Sequence, residues 1–193
     1  MNTSTKKNNI TAVVSFEGSL EKLQSCLQAL NTWIPQIIVV LPEGKEIGKQ
    51  IVDKFNVSVC SQKPSTTSTR WESGLNQTNT PWALLIRSNE IVTGQLRKAI
   101  TEKLQTNGEK AHRYLLPLTM VFLKKRLKYL MDWKDSPPSH LIYTFKGINT
   151  VSQYENLVPL SGELIRYGED TISECAHTIT QKAEERAANL AQH

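Results

Sequence analysis

Chemistry in this chain is concentrated in short polar strings that directly follow apolar runs. Arg87-Ser88-Asn89-Glu90 comes straight after Trp82–Ile86, Glu17 and Gly18 follow Ile10–Phe16, and Pro42 and Glu43 follow Gln36–Leu41. A further polar loop, Ser61–Thr69, ends at Arg70 after the short run Val57–Cys60. Carboxylates at such positions can hold a divalent cation or move a proton. A guanidinium there suits phosphate, which it pairs in a bidentate way. In an open parallel sheet, ligands bind at the carboxyl ends of the strands, so these four strand ends form one candidate site.

Several established chemistries find no support. The nearest string to a Walker A loop, Gly44 through Gln50, is a residue short and lacks the hydroxyl that would bind Mg²⁺. No GxGxxG follows the first apolar run, and no Gly-x-Ser-x-Gly elbow is present. Cys26, Cys60 and Cys175 are widely spaced, and neither they nor the scattered His112, His140, His177 and His193 show metal-ligand intervals. Core packing in a reducing compartment is the expected role of the cysteines.

The elements that must carry the strand ends can be read from periodicity. Ile10–Phe16 and Gln36–Leu41 are short apolar runs that suit buried strands, Val57–Cys60 makes a third, short strand, and Trp82–Ile86 a strong fourth. Between them, Leu20, Leu23, Leu27 and Leu30, then Ile47, Ile51 and Phe55, recur at helical spacing. A helix is also expected from Arg70 to about Gln77, and another from Gly94 to Gln105 before the Asn107-Gly108 stop. Strands alternating with helices predict an α/β fold with a mostly parallel sheet flanked by helices. The rest reads as a smaller α+β half, with strands at Tyr114–Pro117 and Leu141–Phe145 and a closing helix from about Thr171 to Ala191. The organisation expected is a flexible terminus (residues 1–9) followed by one domain in two halves, residues 10–108 and 109–193.

The 193 residues carry a formal charge of +5, and its location matters more than its size. The window Lys110–Lys134 has seven basic residues and one acid, Asp132, which leaves the rest of the chain slightly negative. Within it, Met120, Leu123, Leu127, Leu130 and Met131 recur at three- and four-residue intervals, with Lys124, Lys125 and Lys128 largely between them. The spacing predicts a basic amphipathic helix. Such a helix can lie on an anionic membrane, with Tyr129 and Trp133 as interfacial anchors, or pack its apolar side on the core. Nucleic acid is the least supported partner, since no reading motif accompanies the patch. The longest nearly uncharged apolar runs are about half the roughly 20 residues needed to cross a bilayer. Met1–Asn9 does not resemble a leader, which predicts a cytoplasmic location.

The order of segments resembles the family 2 glycosyltransferases of GT-A fold, and more narrowly their lipopolysaccharide-core branch, from Thr11 to about Leu190. Phe16-Glu17-Gly18 stands where the family has an aromatic-Asn-Glu, and Arg70–Trp82 is similar to the stretch leading into the nucleotide-sugar strand. Trp82–Leu96 (WALLIRSNEIVTGQL) resembles the family's W-V-L-x-L-D-A-D-E-x-V-x-x-x-L. Tyr154-Glu155 and Gly162–Ile165 look like its later elements, and Lys124, Lys125, Lys128 and Trp133 fall in its membrane-facing part. The resemblance implies a nucleotide sugar such as a UDP-sugar as donor, a glycolipid acceptor and peripheral attachment to the inner membrane. By position it implies nucleotide-sugar contacts from Phe16, Glu17, Glu43, Arg70, Arg87 and Asn89, and a general base at Glu155 or Glu90.

Departures from the family's pattern fall on the chemistry. The aspartate ending the second strand is Leu41 here, with Glu43 two residues on, and the metal-binding Asp-x-Asp reads Arg87-Ser88-Asn89. The chain's four aspartates, Asp53, Asp132, Asp135 and Asp170, form no such motif. A conventional Mg²⁺ or Mn²⁺ site therefore lacks support. Either Arg87 takes over part of the metal's charge role at the diphosphate, or the fold is kept as a binding or scaffolding module without catalysis.

Overall fold

The computed structural model describes residues 9–63, 66–105, 113–127, 138–144 and 158–190. Its centre is a seven-stranded sheet. Four strands in it are parallel: β1 (Ile10–Ser15), β2 (Gln36–Pro42), β3 (Ser58–Gln62) and β4 (Trp82–Arg87), in the order β3-β2-β1-β4. These are the apolar runs of the sequence, and β1, β4 and the middle of β2 are buried throughout because both faces of the sheet are covered.

Side chains alternate between those faces. Ile10, Ala12 and Val14 of β1 join a cluster with Leu23, Cys26 and Leu27 of α1 (Leu20–Asn31) and Ile51 and Phe55 of α2 (Lys49–Phe55). Val13 points the other way, into a cluster with Ile38, Val40, Ala83, Leu85 and Trp71 of α3 (Thr67–Leu75). The α3 helix lies close to the sheet because Gly74 has no side chain: a Cβ there would sit 2.3 Å from Val13 Cγ1 and 3.0 Å from Val40 Cγ2. Trp71, fully buried, donates its indole N–H to the Ile86 carbonyl at 2.9 Å, tying α3 to the end of β4.

The second half is woven into this sheet. β9 (His140–Tyr143) runs antiparallel beside β4, and β6 (Arg113–Leu115) and β10 (Val158–Pro159) extend the sheet beyond it. A smaller four-stranded sheet, in the order β5-β11-β7-β8, combines β5 (Glu90–Val92), β11 (Leu164–Tyr167), β7 (Leu118–Phe122) and β8 (Lys125–Leu127). The α4 helix (Gly94–Leu104) packs Leu96 and Ile100 into the larger cluster, and α5 (Ile172–Leu190) closes the chain.

The basic amphipathic helix is not formed over the described part of its window. Residues 118–127 make a β-hairpin instead, with Phe122 opposite Lys125 and Met120 opposite Leu127. The two residues between the strands, Leu123 and Lys124, have φ of 48° and 62°. Two left-handed residues in a two-residue connection are what the twist of a tight hairpin requires. Neither is the usual Asn or Gly, so the turn gave no signal in the sequence. The three- and four-residue apolar spacing fits one side of a hairpin as well, and Thr119, Val121 and Phe122 favour strand. Lys128, Tyr129 and Trp133 lie outside the described residues.

Candidate active site

The strand order places a crevice between β1 and β4. The chain leaves β1 toward β2 through α1 on one face and returns to β4 through α3 on the other, which is the switch point where α/β sheets bind ligands. At the carboxyl ends of these two strands stands a chain of alternating charges. Arg70 Nη2 lies 3.2 Å from Glu17 Oε1, and Arg87 Nε lies 4.0 Å from the same oxygen. Arg87 Nη1 is then 3.5 Å, and Arg166 Nη2 2.6 Å, from Glu90 Oε1. Among the described residues, three arginines and two glutamates meet here.

Glu90 is the hub. Its carboxylate is wholly buried and accepts from Arg166 Nε at 2.8 Å, the Arg87 backbone N–H at 2.7 Å and the Ser139 hydroxyl at 2.7 Å. Glu90 opens β5 and lies directly across from Arg166 on β11, so the ion pair is a cross-strand pair of the small sheet. Arg87 ends β4, and Ser139 precedes β9, so the same carboxylate joins the small sheet to the large one. This contradicts the expectation that Glu90 serves as a general base: an acceptor hydroxyl cannot reach a carboxylate that is buried and filled by arginine, backbone and hydroxyl donors.

Arg87 is held on every side. Its guanidinium carbon lies 5.0 Å from the centre of the Trp71 ring, and Nη1 donates to Ser139 Oγ at 3.2 Å. Burial pulls its pKa below the ordinary value, Glu90 beside it pulls upward, and Arg166 adds a smaller downward push. Arginine nonetheless stays charged in proteins, so the crevice keeps a cation at the end of β4.

The mouth of the site is built from β1 and α3. Arg70, in the first half of α3, donates through Nε to Ser15 Oγ at 2.7 Å, and Ser15 donates to Glu17 at 3.0 Å. The α3 helix starts where the side chain of Thr66 accepts from the Thr69 N–H, a normal N-cap that fixes the direction of the helix and hence of Arg70. The Glu17 backbone N–H donates to Ser88 Oγ at 2.9 Å, so the two strand ends are stitched together.

Other expected site residues are placed elsewhere. Phe16 is a core residue, 5% exposed and grouped with Leu41 and Ile47, so its ring is not presented to a ligand as expected. Ser15 and Glu17 on either side of it face the crevice, and Phe16 between them turns to the opposite side, into the core. Glu43 is exposed at the end of β2, with its backbone N–H bonded to Gln62. Asn89 turns its Nδ2 to the Tyr167 carbonyl, 3.0 Å away, and anchors β11 rather than the arginines. Lys124 and Lys125 lie at the hairpin tip, and Glu155 lies outside the described residues.

Ser15, Trp71, Ser139 and Arg166 were not expected in the site. Arg166 had one faint signal, a lone cation within the apolar-alternating Leu164–Tyr167, but its role depends on strand pairing across 76 residues. The carboxylates present do not fit a divalent cation, since Glu90 is enclosed by two arginines and Glu17 by Arg70 and Arg87. Among the described residues, no group of three or more His, Cys, Asp or Glu side chains is arranged to hold a metal.

Beneath the site, His140 is fully buried and packs edge-on against Trp71, with ring centres 5.8 Å apart. Burial lowers its pKa from 6.5 to about 4, and Arg113 and Arg87 add to the fall, against a hydrogen bond with the Pro138 carbonyl. The unfolded chain therefore binds a proton that the folded chain refuses between about pH 6.5 and pH 4. Stability falls through that window as pH is lowered, by up to roughly 3 kcal/mol. Urea unfolding at pH 7 and pH 4.5 should show the loss, and His140→Gln should flatten it; an equal slope in both proteins would show that His140 is not its source.

No family model and no curated protein matches the chain. Among solved structures it is similar to that of S. aureus TarS 1-349, with a TM-score of 0.54 and 15% identity over 69% of this chain and 46% of that one. It is also similar to TarS 1-349 in complex with UDP-GlcNAc, with a TM-score of 0.53 and 15% identity over 69% of this chain and 45% of that one. The chain thus spans less than half the length of these TarS structures. Its α/β fold, a mostly parallel sheet flanked by helices, is GT-A-like.

Proposed function

We propose that this protein is a nucleotide-sugar-dependent transferase in which arginine, rather than a bound metal, neutralises the diphosphate. The observation that carries this reading is the convergence of Arg70, Arg87 and Arg166 on the carboxyl ends of β1 and β4 at the switch point. A nucleoside diphosphate leaving group gains negative charge as the bond to the sugar breaks, and fixed cations aimed at it lower the barrier. Arg87 and Arg70 are the residues to meet it, and Arg166 acts through Glu90 to hold Arg87 in place. The acceptor hydroxyl attacks the anomeric carbon, and Glu155, in the segment similar to the family's acceptor element, is the residue to take its proton. TarS with UDP-GlcNAc bound supports a UDP-sugar as the donor to test first.

The test is titration of the purified protein with UDP, UDP-sugars and uridine. Binding of UDP and a UDP-sugar with little binding of uridine is expected, because the diphosphate supplies the contact. Failure of every nucleotide to bind would remove the transferase reading and leave a binding or scaffolding module, which the enclosed Glu90 would then suit.

For the acceptor, the reading is a lipopolysaccharide-core or similar glycan on a lipid, met at the cytoplasmic face of the inner membrane. The exposed tip of the β7–β8 hairpin, with Lys124, Lys125 and Arg126, supports peripheral attachment to anionic lipid. No helix among the described residues is long and apolar enough to cross a membrane. Each surface lysine contributes about 1 kcal/mol on anionic lipid, so Lys124→Glu with Lys125→Glu should weaken pelleting with phosphatidylglycerol vesicles by at least about tenfold. Unchanged pelleting would show that the hairpin does not dock.

A further inference from the structure

The charge chain has one member that can leave it. Glu90, Arg87 and Arg166 are buried, whereas the Glu17 side chain is 27% exposed, more than that of Arg70 at 11% or Arg87 at 4%. Glu17 stands at the mouth of the crevice, and one of its oxygens faces both Arg70 Nη2 and Arg87 Nε. Its remaining partners are the hydroxyls of Ser15 at 3.0 Å and Thr67 at 3.4 Å. The backbone of this segment is pinned by two bonds, Phe16 N–H to the Val40 carbonyl at 3.0 Å and Glu17 N–H to Ser88 Oγ at 2.9 Å. Rotation of the side chain alone would therefore withdraw the carboxylate from both arginines without moving β1.

We infer that Glu17 is an internal counter-ion that occupies the anion position between Arg70 and Arg87 and is displaced by an incoming diphosphate. This rests on the reading of the crevice as a diphosphate site. An oxygen of the ligand takes the place of the Glu17 carboxylate oxygen, and the carboxylate turns to solvent. The Glu17 carboxylate already bridges Arg70 and Arg87, so it sets a threshold. A ligand with two phosphates can meet both arginines at once, while a monophosphate exchanges one anion for another with little gain. Glu17 is in this sense a specificity-determining residue.

The experiment is calorimetric titration of wild type, Glu17→Gln, Glu17→Ala and Arg87→Ala with UDP, UMP and inorganic pyrophosphate. Removing a partly exposed carboxylate competitor should tighten UDP and pyrophosphate by about fivefold in both Glu17 variants. It should tighten UMP by more, so that the preference for UDP over UMP narrows. Equal or weaker binding of UDP by both Glu17 variants, with wild-type binding still lost in Arg87→Ala, would overturn the counter-ion role and leave the diphosphate site standing. Absence of UDP and pyrophosphate binding in wild type and Glu17 variants alike would overturn both. Tight binding by Glu17→Gln where wild type binds barely at all would be the strongest support. Unfolding midpoints of the Glu17 variants close to wild type would show that the change in affinity is local.

Discussion

Glu90→Gln is expected to destabilise the protein by roughly 3–5 kcal/mol, a large share of the stability of a domain this size. The substitution keeps the shape of the side chain and removes its charge. Two buried guanidiniums, those of Arg87 and Arg166, would then face each other with no buried carboxylate between them. Breaking one partner of a buried ion cluster is costly because it leaves charge without compensation, whatever the cluster contributes in total. The double variant Glu90→Gln with Arg166→Met removes one charge of each sign and should recover at least half of the loss. Urea unfolding of the wild type, the two single variants and the double variant closes a cycle on this pair. A loss below about 1 kcal/mol for Glu90→Gln would mean that the cluster does not fasten the small sheet to the large one.

Arg87→Ala is expected to weaken UDP binding by about 100-fold or more. A charge-assisted guanidinium–phosphate pair in a crevice contributes several kcal/mol, and removing Arg87 also leaves Glu90 with one fewer partner and Glu17 with a single arginine. Arg87→Lys should not restore binding, because the ammonium lacks the planar fork that spans Glu17, Ser139 and the ligand together. Titration by calorimetry reads both variants, and a circular dichroism spectrum matching wild type separates lost binding from lost fold. Retention of wild-type affinity in Arg87→Ala would show that the diphosphate does not meet this residue.

Much of the frame was legible before the structure. β1, β2 and β4 were visible as apolar runs because both faces of the sheet are covered there, and α1 and α2 carried plain one-sided apolar patterns. Of the four strand ends named as the candidate site, those at Glu17 and Arg87 meet together with Arg70 of α3, whereas the end of β2 at Glu43 stands apart. What could not be read depends on pairing between distant segments. Glu90 has the look of a loop carboxylate until β5 is placed beside β11, at which point Arg166 fills it. The β7–β8 hairpin turns on Leu123 and Lys124, residues that do not announce a left-handed turn, so its apolar spacing was open to a helical reading. Phe16 illustrates the same limit on a smaller scale: one residue further along a strand separates a ring in the core from a ring in the crevice.

The position of Arg87 at the end of β4 ties these results together. Its backbone N–H and guanidinium both meet Glu90, which therefore faces inward to arginines rather than outward to a cation. The measurement that tests this most directly is the affinity for UDP in excess EDTA and in millimolar Mn²⁺. If arginine supplies the charge, the two dissociation constants should agree within about twofold. Binding that disappears in EDTA and returns with Mn²⁺ would contradict the account.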